Sequence, residues 1–156
     1  MAPAGRLLTS AAVALGLLVA GCSGDDAPSC AVTEPVAAAD LPEVLRGSGE
    51  AWTGRDGLWT TVPGAEQFIT DDGPPRLKHA WVTLDEDGQP TQERGDPGVG
   101  AEGLDGQGAA AASHGGYAHT DELSWWPTVV EFPASGCWSE TGVVDGVEVR
   151  VVYRVP

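Results

Sequence analysis

Two histidines and two carboxylates lie close together in the last third of the chain. His114 and His119 are separated by four residues, and Asp121 and Glu122 follow shortly after the second histidine. Imidazole and carboxylate groups can ligate zinc or copper outside the cytoplasm. The spacing fits no helix face, however, and the small residues between the histidines favour an exposed loop held by Tyr117. Metal binding by His114 and His119 is therefore one hypothesis, and a solvated loop is the other.

Three further patterns match the letters of known motifs without their context. Ser113 stands beside His114, but a catalytic triad assembles from distant positions and needs an oxyanion site. The segment 98–103 fits the dinucleotide fingerprint, yet it lacks a preceding strand and a following helix. The segment 85–88 begins like a calcium loop but lacks the glutamate that completes one, which favours a turn and leaves loose calcium binding by acidic loops open. We therefore predict a protein that is not an enzyme and has no cofactor.

The aromatic residues provide a second kind of candidate site. Trp125 and Trp126 are consecutive, so on a strand they must point to opposite faces. One then enters the core, and the other stands exposed beside an edge, where it stacks on a sugar or a partner side chain, unless a helix or loop covers it. We name Trp125, Trp126 and Tyr117 as possible binding residues. The remaining tryptophans are predicted to lie in the core: Trp52, Trp59, Trp81 and Trp138.

The composition limits both the core and the partners. The 156 residues include 22 glycines and 12 prolines, so six tryptophans must supply much of the core volume. The formal net charge is −15, which argues against nucleic acid or anionic lipid as a partner of the domain itself. About 135 residues remain after Gly21, enough for one domain, which we place at 30–156.

The elements that must position these residues are mostly short strands. Asp145-Gly146 is the signature of a type I′ hairpin between 137–144 and 147–155. One short N-terminal helix is predicted over Leu41–Arg46, capped by Asp40. The pattern favours an all-β fold, specifically an immunoglobulin-like antiparallel β-sandwich. Further strands are predicted at 57–62, 68–70, 77–84, 99–104 and 124–132. Pro127 is expected at an edge or a bulge. Loops are predicted over much of 89–112 and over 113–122.

The first 21 residues predict an export signal. Arg6 is followed by an apolar stretch, Ala11 to Ala20, that is too short to span a bilayer comfortably. Val19-Ala20-Gly21-Cys22 resembles the lipobox of bacterial lipoproteins. This resemblance implies that a diacylglycerol is attached to the Cys22 thiol, that cleavage precedes Cys22, and that 22–29 form a lipidated cysteine and a short tether. An ordinary secretory signal with a chance cysteine is the alternative.

With Cys22 assigned to lipid, Cys30 and Cys137 remain as a pair in an exported, oxidising context. A disulfide between them is the prediction that follows. Two buried free thiols are one alternative. A metal site is the other, although neither cysteine lies in a CxxC or CxxH spacing.

Four segments resemble a group of bacterial lipoproteins. The residues 132–142 (FPASGCWSETG) are similar to that group's FPxxGCWEVTG block, and 30–35 (CAVTEP) to its CPVTxP start. Two weaker similarities cover 52–59 and the glycine-rich pieces from 103 to 117. The resemblance implies an exported lipoprotein whose last strands belong to an immunoglobulin-type sandwich with its two outer cysteines bridged. No catalytic residue comes with it.

These observations predict a non-catalytic, lipid-anchored lipoprotein on the outer face of the cytoplasmic membrane. It would act as a binding or accessory module for an envelope protein or a cell-wall polymer. A metal- or solute-binding envelope sensor that uses the loop 113–122 is the first alternative. A small envelope hydrolase is the second.

Overall fold

The computed structural model describes residues 30–71 and 73–156, and most of their regular structure is antiparallel β-strand. The predicted leader, the lipidated Cys22 and its tether lie outside the described residues. Within the described part, no helix is long and apolar enough to cross a bilayer. The strands are β1 (Trp52–Arg55), β2 (Leu58–Thr61), β3 (Phe68–Ile69), β4 (Arg76–Thr83), β5 (Gly98–Gly103), β6 (Ala109–His114), β7 (Ala118–His119), β8 (Ser124–Glu131), β9 (Gly136–Val144) and β10 (Val147–Val155).

The strands form one continuous sheet in the order β1-β2-β4-β8-β6-β5-β9-β10, with β3 paired to β4 and β7 paired to β8. Both β1 and β2 contact β10, so the sheet curls into a nearly closed barrel. The all-β prediction is confirmed. The immunoglobulin-like arrangement is not confirmed, because β6 pairs with both β5 and β8 and thereby joins what would otherwise be two separate sheets.

The N-terminal segment 30–36 lies in the seam between the two ends of the sheet. Thr33 donates its backbone N–H to the carbonyl oxygen of Val152 in β10 at 2.8 Å, and its hydroxyl accepts the N–H of Val152 at 2.7 Å. Three residues later, Val36 donates its N–H to the carbonyl oxygen of Trp52 in β1 at 2.8 Å. This segment therefore bridges β10 and β1 and satisfies part of the edge that each would otherwise expose.

The predicted disulfide is confirmed. Cys30 and Cys137 are bonded, with 5.6 Å between their Cα atoms and a sequence separation of 107. The bond fixes the start of the seam segment to the beginning of β9. It also encloses every strand from β1 to β8 within one covalent loop.

The carboxyl-terminal hairpin forms as predicted. Asp145 and Gly146 have φ angles of 50° and 77°, the left-handed pair that a type I′ turn requires. Val144 and Val147 are the first partners after the turn, and β9 and β10 then pair along their full length. Alternate residues of β10 are buried in the interior: Val149, Val151, Tyr153 and Val155.

A short helical segment covers one outer face of the sheet. Helix α1 spans Glu43–Arg46, two residues shorter than predicted, because Asp40 belongs to a preceding 3-10 turn and Pro42 precedes the helix without a side-chain cap. Leu41 and Leu45 pack on a cluster from β1, β2 and β4. The residues of that cluster are Trp52, Trp59, Val82 and Leu84.

The barrel interior is filled by large side chains, as the glycine-rich composition required. Trp81 is fully buried, and its six-membered ring lies against Gly142 of β9. A Cβ atom on Gly142 would stand 2.4 Å from two of the ring carbons, so glycine makes the space that this tryptophan occupies. The four tryptophans predicted for the core are all buried: Trp52, Trp59, Trp81 and Trp138.

Two predictions about β8 and its neighbours are wrong. The segments predicted to be loops contain β6 and β7. The prediction missed β6 because its core-facing positions include the alanines at 110 and 112, which give little hydrophobic contrast. Pro127 lies in β8, which is an interior strand. Its carbonyl oxygen accepts the N–H of Gly115, just beyond the end of β6, so its missing N–H faces the break between β6 and β7.

Candidate functional site

An open cleft of about 730 Å³ lies on the outer face of the sheet beneath α1. Trp52 and Thr61 face each other across β1 and β2 and therefore point to the same side. Lys78 of β4 and Trp125 of β8 also line the cleft. The walls are thus carried by rigid strands on one side and by the short helix on the other.

The two adjacent tryptophans point to opposite faces, as predicted, but the outward one is not exposed. Trp125 is half-buried and packs against the outer cluster beneath α1. Trp126 packs against the interior cluster around Trp81 and donates its indole N–H to the Thr83 hydroxyl at 3.2 Å. The ring of Tyr117 lies 4.8 Å from that of Trp126. Of the three predicted binding residues, only Trp125 lines the cleft.

Thr61 of the cleft lining carries a buried hydroxyl. Thr61 is 4% exposed, and its Oγ1 atom has no hydrogen-bond partner among the residues that the structure describes. A buried hydroxyl without a partner costs about 1–3 kcal/mol. A ligand in the cleft that offers a hydrogen bond to this atom would remove that cost.

Charged side chains surround the opening of the cleft. Glu43, Glu50 and Glu122 contribute three carboxylates, and Lys78 contributes one ammonium group. Within the part of the chain that the structure describes, none of these four groups forms an ion pair with another side chain. Glu50 accepts one long hydrogen bond of 3.5 Å from the side chain of Gln67. The cleft is therefore acidic, and its charged groups are available to a ligand.

A buried polar network lies on the inner side of the same part of the sheet. Glu140 of β9 is fully buried, and His79 of β4 places its Nε2 atom 2.9 Å from the Oε1 atom of Glu140. The ring N–H does not point along that line, so the contact is electrostatic rather than a linear hydrogen bond. Trp81 donates its indole N–H to Oε1 at 2.9 Å, and Tyr153 donates its hydroxyl to Oε2 at 2.7 Å.

Each ring nitrogen of His79 has a polar neighbour. The Thr60 hydroxyl donates to the Ala80 carbonyl oxygen at 3.0 Å, so its oxygen is left to accept from the Nδ1 atom of His79 at 3.4 Å. The other ring nitrogen faces a carboxylate oxygen that can only accept. The His79 ring thus lies between the Thr60 hydroxyl and the Glu140 carboxylate.

Burial and hydrogen bonding act on Glu140 in opposite directions. Burial by itself raises the pKa of Glu140, but the electrostatic contact with His79 and the hydrogen bonds from Tyr153 and Trp81 outweigh it and leave the pKa lowered. The pKa of Tyr153 is raised, first by burial and then by the adjacent carboxylate. Glu140 is therefore ionised yet closed to solvent.

The histidines predicted as metal ligands are not brought together. His114 ends β6 and contacts Thr128 and Asp96, whereas His119 lies in β7. Their partners in β8 are four residues apart, which is about 13 Å along a strand. Among residues 30–71 and 73–156, no group of three His, Cys, Asp or Glu side chains is arranged to hold a metal ion.

No family model, curated protein or solved structure matches this chain.

Sequence reasoning missed most of these residues. Glu140 lies two residues after Trp138, and His79 lies two residues before Trp81, so the period-2 pattern places each on the face of a buried tryptophan. That signal was sufficient to predict two charged side chains in the core. No comparable local signal marks the cleft, because its lining comes from distant segments.

Proposed function

We propose that the protein is a lipid-anchored, exported binding module that is not an enzyme and that takes its ligand in the cleft beneath α1. The observation that carries this proposal is the combination of a half-buried Trp125 with the buried, unpartnered Thr61 hydroxyl in one open cleft. An aromatic wall with a few polar groups is the usual composition of a ligand site. The ligand is a constituent of the cell envelope, free or carried by a protein or a cell-wall polymer.

The buried network supports a binding role over catalysis. His79 and Glu140 have the residue types of an acid–base pair, but Glu140 is fully buried and the His79 side chain is 1% exposed. Both carboxylate oxygens are engaged by Trp81, Tyr153 and His79. A general acid or base must reach its substrate within hydrogen-bond distance, so this pair acts within the fold.

Anchoring through Cys22 predicts a clear change in fractionation. We expect the wild-type chain to partition into the detergent phase and to carry a diacylglyceryl group by mass spectrometry. A Cys22→Ala variant will accumulate as an uncleaved precursor or leave the membrane fraction. Ser23→Ala is the matched control and will be processed as the wild type. Normal processing and membrane retention of Cys22→Ala would refute the lipid anchor.

Binding in the cleft predicts a dependence on Trp125. We expect ligand-observed NMR on the full chain in detergent micelles, with mixtures of small sugars, amines, acids and peptides, to detect at least one bound class. A Trp125→Ala variant will lose that signal because the aromatic wall is removed. Leu104→Ala, which truncates an exposed apolar residue outside the cleft, will retain it. Equal signals from both variants would contradict the proposed site.

A further inference from the structure

We propose that the ligand of the cleft is a small organic amine, bound with its primary ammonium group between the carboxylates and its apolar part against Trp125. The inference rests on the proposed function, because it assigns a ligand class to the same cleft. Three independent features of the lining carry it: the sign of the charge, the aromatic wall and the buried hydroxyl.

The carboxylates at the cleft come from three separate segments. Glu43 lies in α1, Glu50 in the connection to β1, and Glu122 in the turn before β8. They converge on one opening, which Lys78 and the largely buried His79 also line. Since none of them is neutralised by an ion pair among the described residues, the local field favours a cation over an anion or a neutral molecule.

The aromatic wall favours an organic cation over a metal ion. Trp125 offers a half-buried indole to the cleft. The face of an indole attracts an ammonium group and also packs against the methylene or aromatic part that carries it. A hydrated metal ion would instead require converging oxygen ligands, and no such group of three acidic or histidine side chains exists in residues 30–71 and 73–156.

The buried Thr61 hydroxyl selects a primary amine. Thr61 lines the cleft and is more than nine-tenths buried, and its Oγ1 atom lacks a protein partner among the described residues. A primary ammonium carries three N–H donors, enough for a carboxylate and for this oxygen at the same time. A quaternary ammonium has no N–H donor and would leave the hydroxyl without a partner.

The test compares three probes of nearly equal shape on the full chain in neutral detergent. They are 2-phenylethylamine, 2-phenylethanol and 3-phenylpropionate, each titrated by calorimetry and by tryptophan fluorescence. We expect the amine to bind about tenfold more tightly than the alcohol, the size of one charge-assisted contact, and the carboxylate to bind most weakly. The affinity for the amine will fall as salt rises, because exposed carboxylates are screened.

Variants test whether the cleft is the source of the preference for the amine over the alcohol. Glu50→Gln/Glu122→Gln is expected to reduce amine affinity about tenfold and to leave the affinity for the alcohol unchanged. Glu86→Gln/Glu93→Gln removes the same charge outside the cleft and will change neither affinity. Thr61→Val is expected to weaken the amine, and thermal unfolding will verify that each variant is folded.

The outcomes separate this inference from the proposed function. The amine assignment would be overturned if the amine and the alcohol bound equally, or if the carboxylate bound more tightly than the amine. If that binding were lost in Trp125→Ala, the cleft would still stand as a binding site. Amine binding that persists unchanged in Trp125→Ala and in the cleft double variant would overturn the assignment of the cleft itself. An absence of binding by all three probes would overturn the amine inference, and the broader ligand screen would then decide the proposed function.

Discussion

A Cys30→Ala/Cys137→Ala double variant is expected to lose about 4–5 kcal/mol of unfolding free energy. The disulfide joins cysteines with a sequence separation of 107. Such a crosslink lowers the conformational entropy of the unfolded chain and thereby stabilises the folded one. The loss is comparable to the whole stability of many small domains, about 5–15 kcal/mol. Urea denaturation followed by tryptophan fluorescence will measure it. The buried tryptophans of the interior make that signal large.

Reduction provides the matched control for the disulfide. A thiol reductant should lower the urea midpoint of the wild-type chain toward that of the double variant and leave the variant unchanged. The seam segment should also become mobile, because Cys30 no longer fixes it beside β9. If the unfolding free energy of the double variant lay within about 1 kcal/mol of the wild-type value, the strands alone would hold the fold. Such a loss would be smaller than the stabilisation expected for a loop of this size.

Glu140→Gln is expected to reduce the unfolding free energy by about 3–5 kcal/mol, the usual cost of removing one partner from a buried ion pair. The amide occupies nearly the same volume, so the change isolates the charge. The buried His79 would then lack its carboxylate partner, and the glutamine would have to place an N–H donor where the carboxylate only accepts. Urea denaturation at pH 7 measures the loss.

A second variant separates charge from packing at this position. His79→Leu/Glu140→Leu removes both charges and should be more stable than the single Glu140→Gln change, because no unpaired charge remains. It leaves the Trp81 N–H and the Tyr153 hydroxyl without an acceptor, so it should remain less stable than the wild type. If the double variant were as unstable as the single one or worse, the ion pair would not be the source of the effect.

The same network predicts the direction of the pH dependence. Because the pKa of Glu140 is lowered in the folded protein, its ionised form is favoured by folding, and its contribution is present above the unfolded-state pKa of about 4.3. That contribution is lost as the pH falls through the lower folded-state value. The wild type should therefore lose its advantage over Glu140→Gln as the solution is acidified below about pH 4.

The strands that could be predicted are those with large side chains at alternate positions. In β10 the inward residues are valine and tyrosine and most outward residues are charged, so the contrast is strong. In β4 leucine and tryptophan alternate with arginine, lysine and alanine over most of the strand. In β6 the inward residues are alanines, so the same geometry leaves almost no hydrophobic pattern. Missing β6 had a topological consequence, because this strand converts two sheets into one.

The candidate site was predictable only in part, for a related reason. Trp125 could be identified because its neighbour Trp126 forces the pair onto opposite faces. Glu43 and Glu122 are far apart in the sequence and meet only after α1 folds back over the sheet. Periodicity within a strand carries no information about which distant segments will converge on one opening.

The covalent link at the start of the described chain also determines how the domain responds to force. If the chain is pulled at a point before Cys30 and held at residue 156, the force passes through the two sulfur atoms directly to Cys137. The enclosed strands carry no tension, so only the terminal hairpin, residues 137–156, can extend while the bond is intact. In a pulling experiment the extension should thus be limited to that of the hairpin until a reductant is added, after which the chain should lengthen by the contour of the released loop.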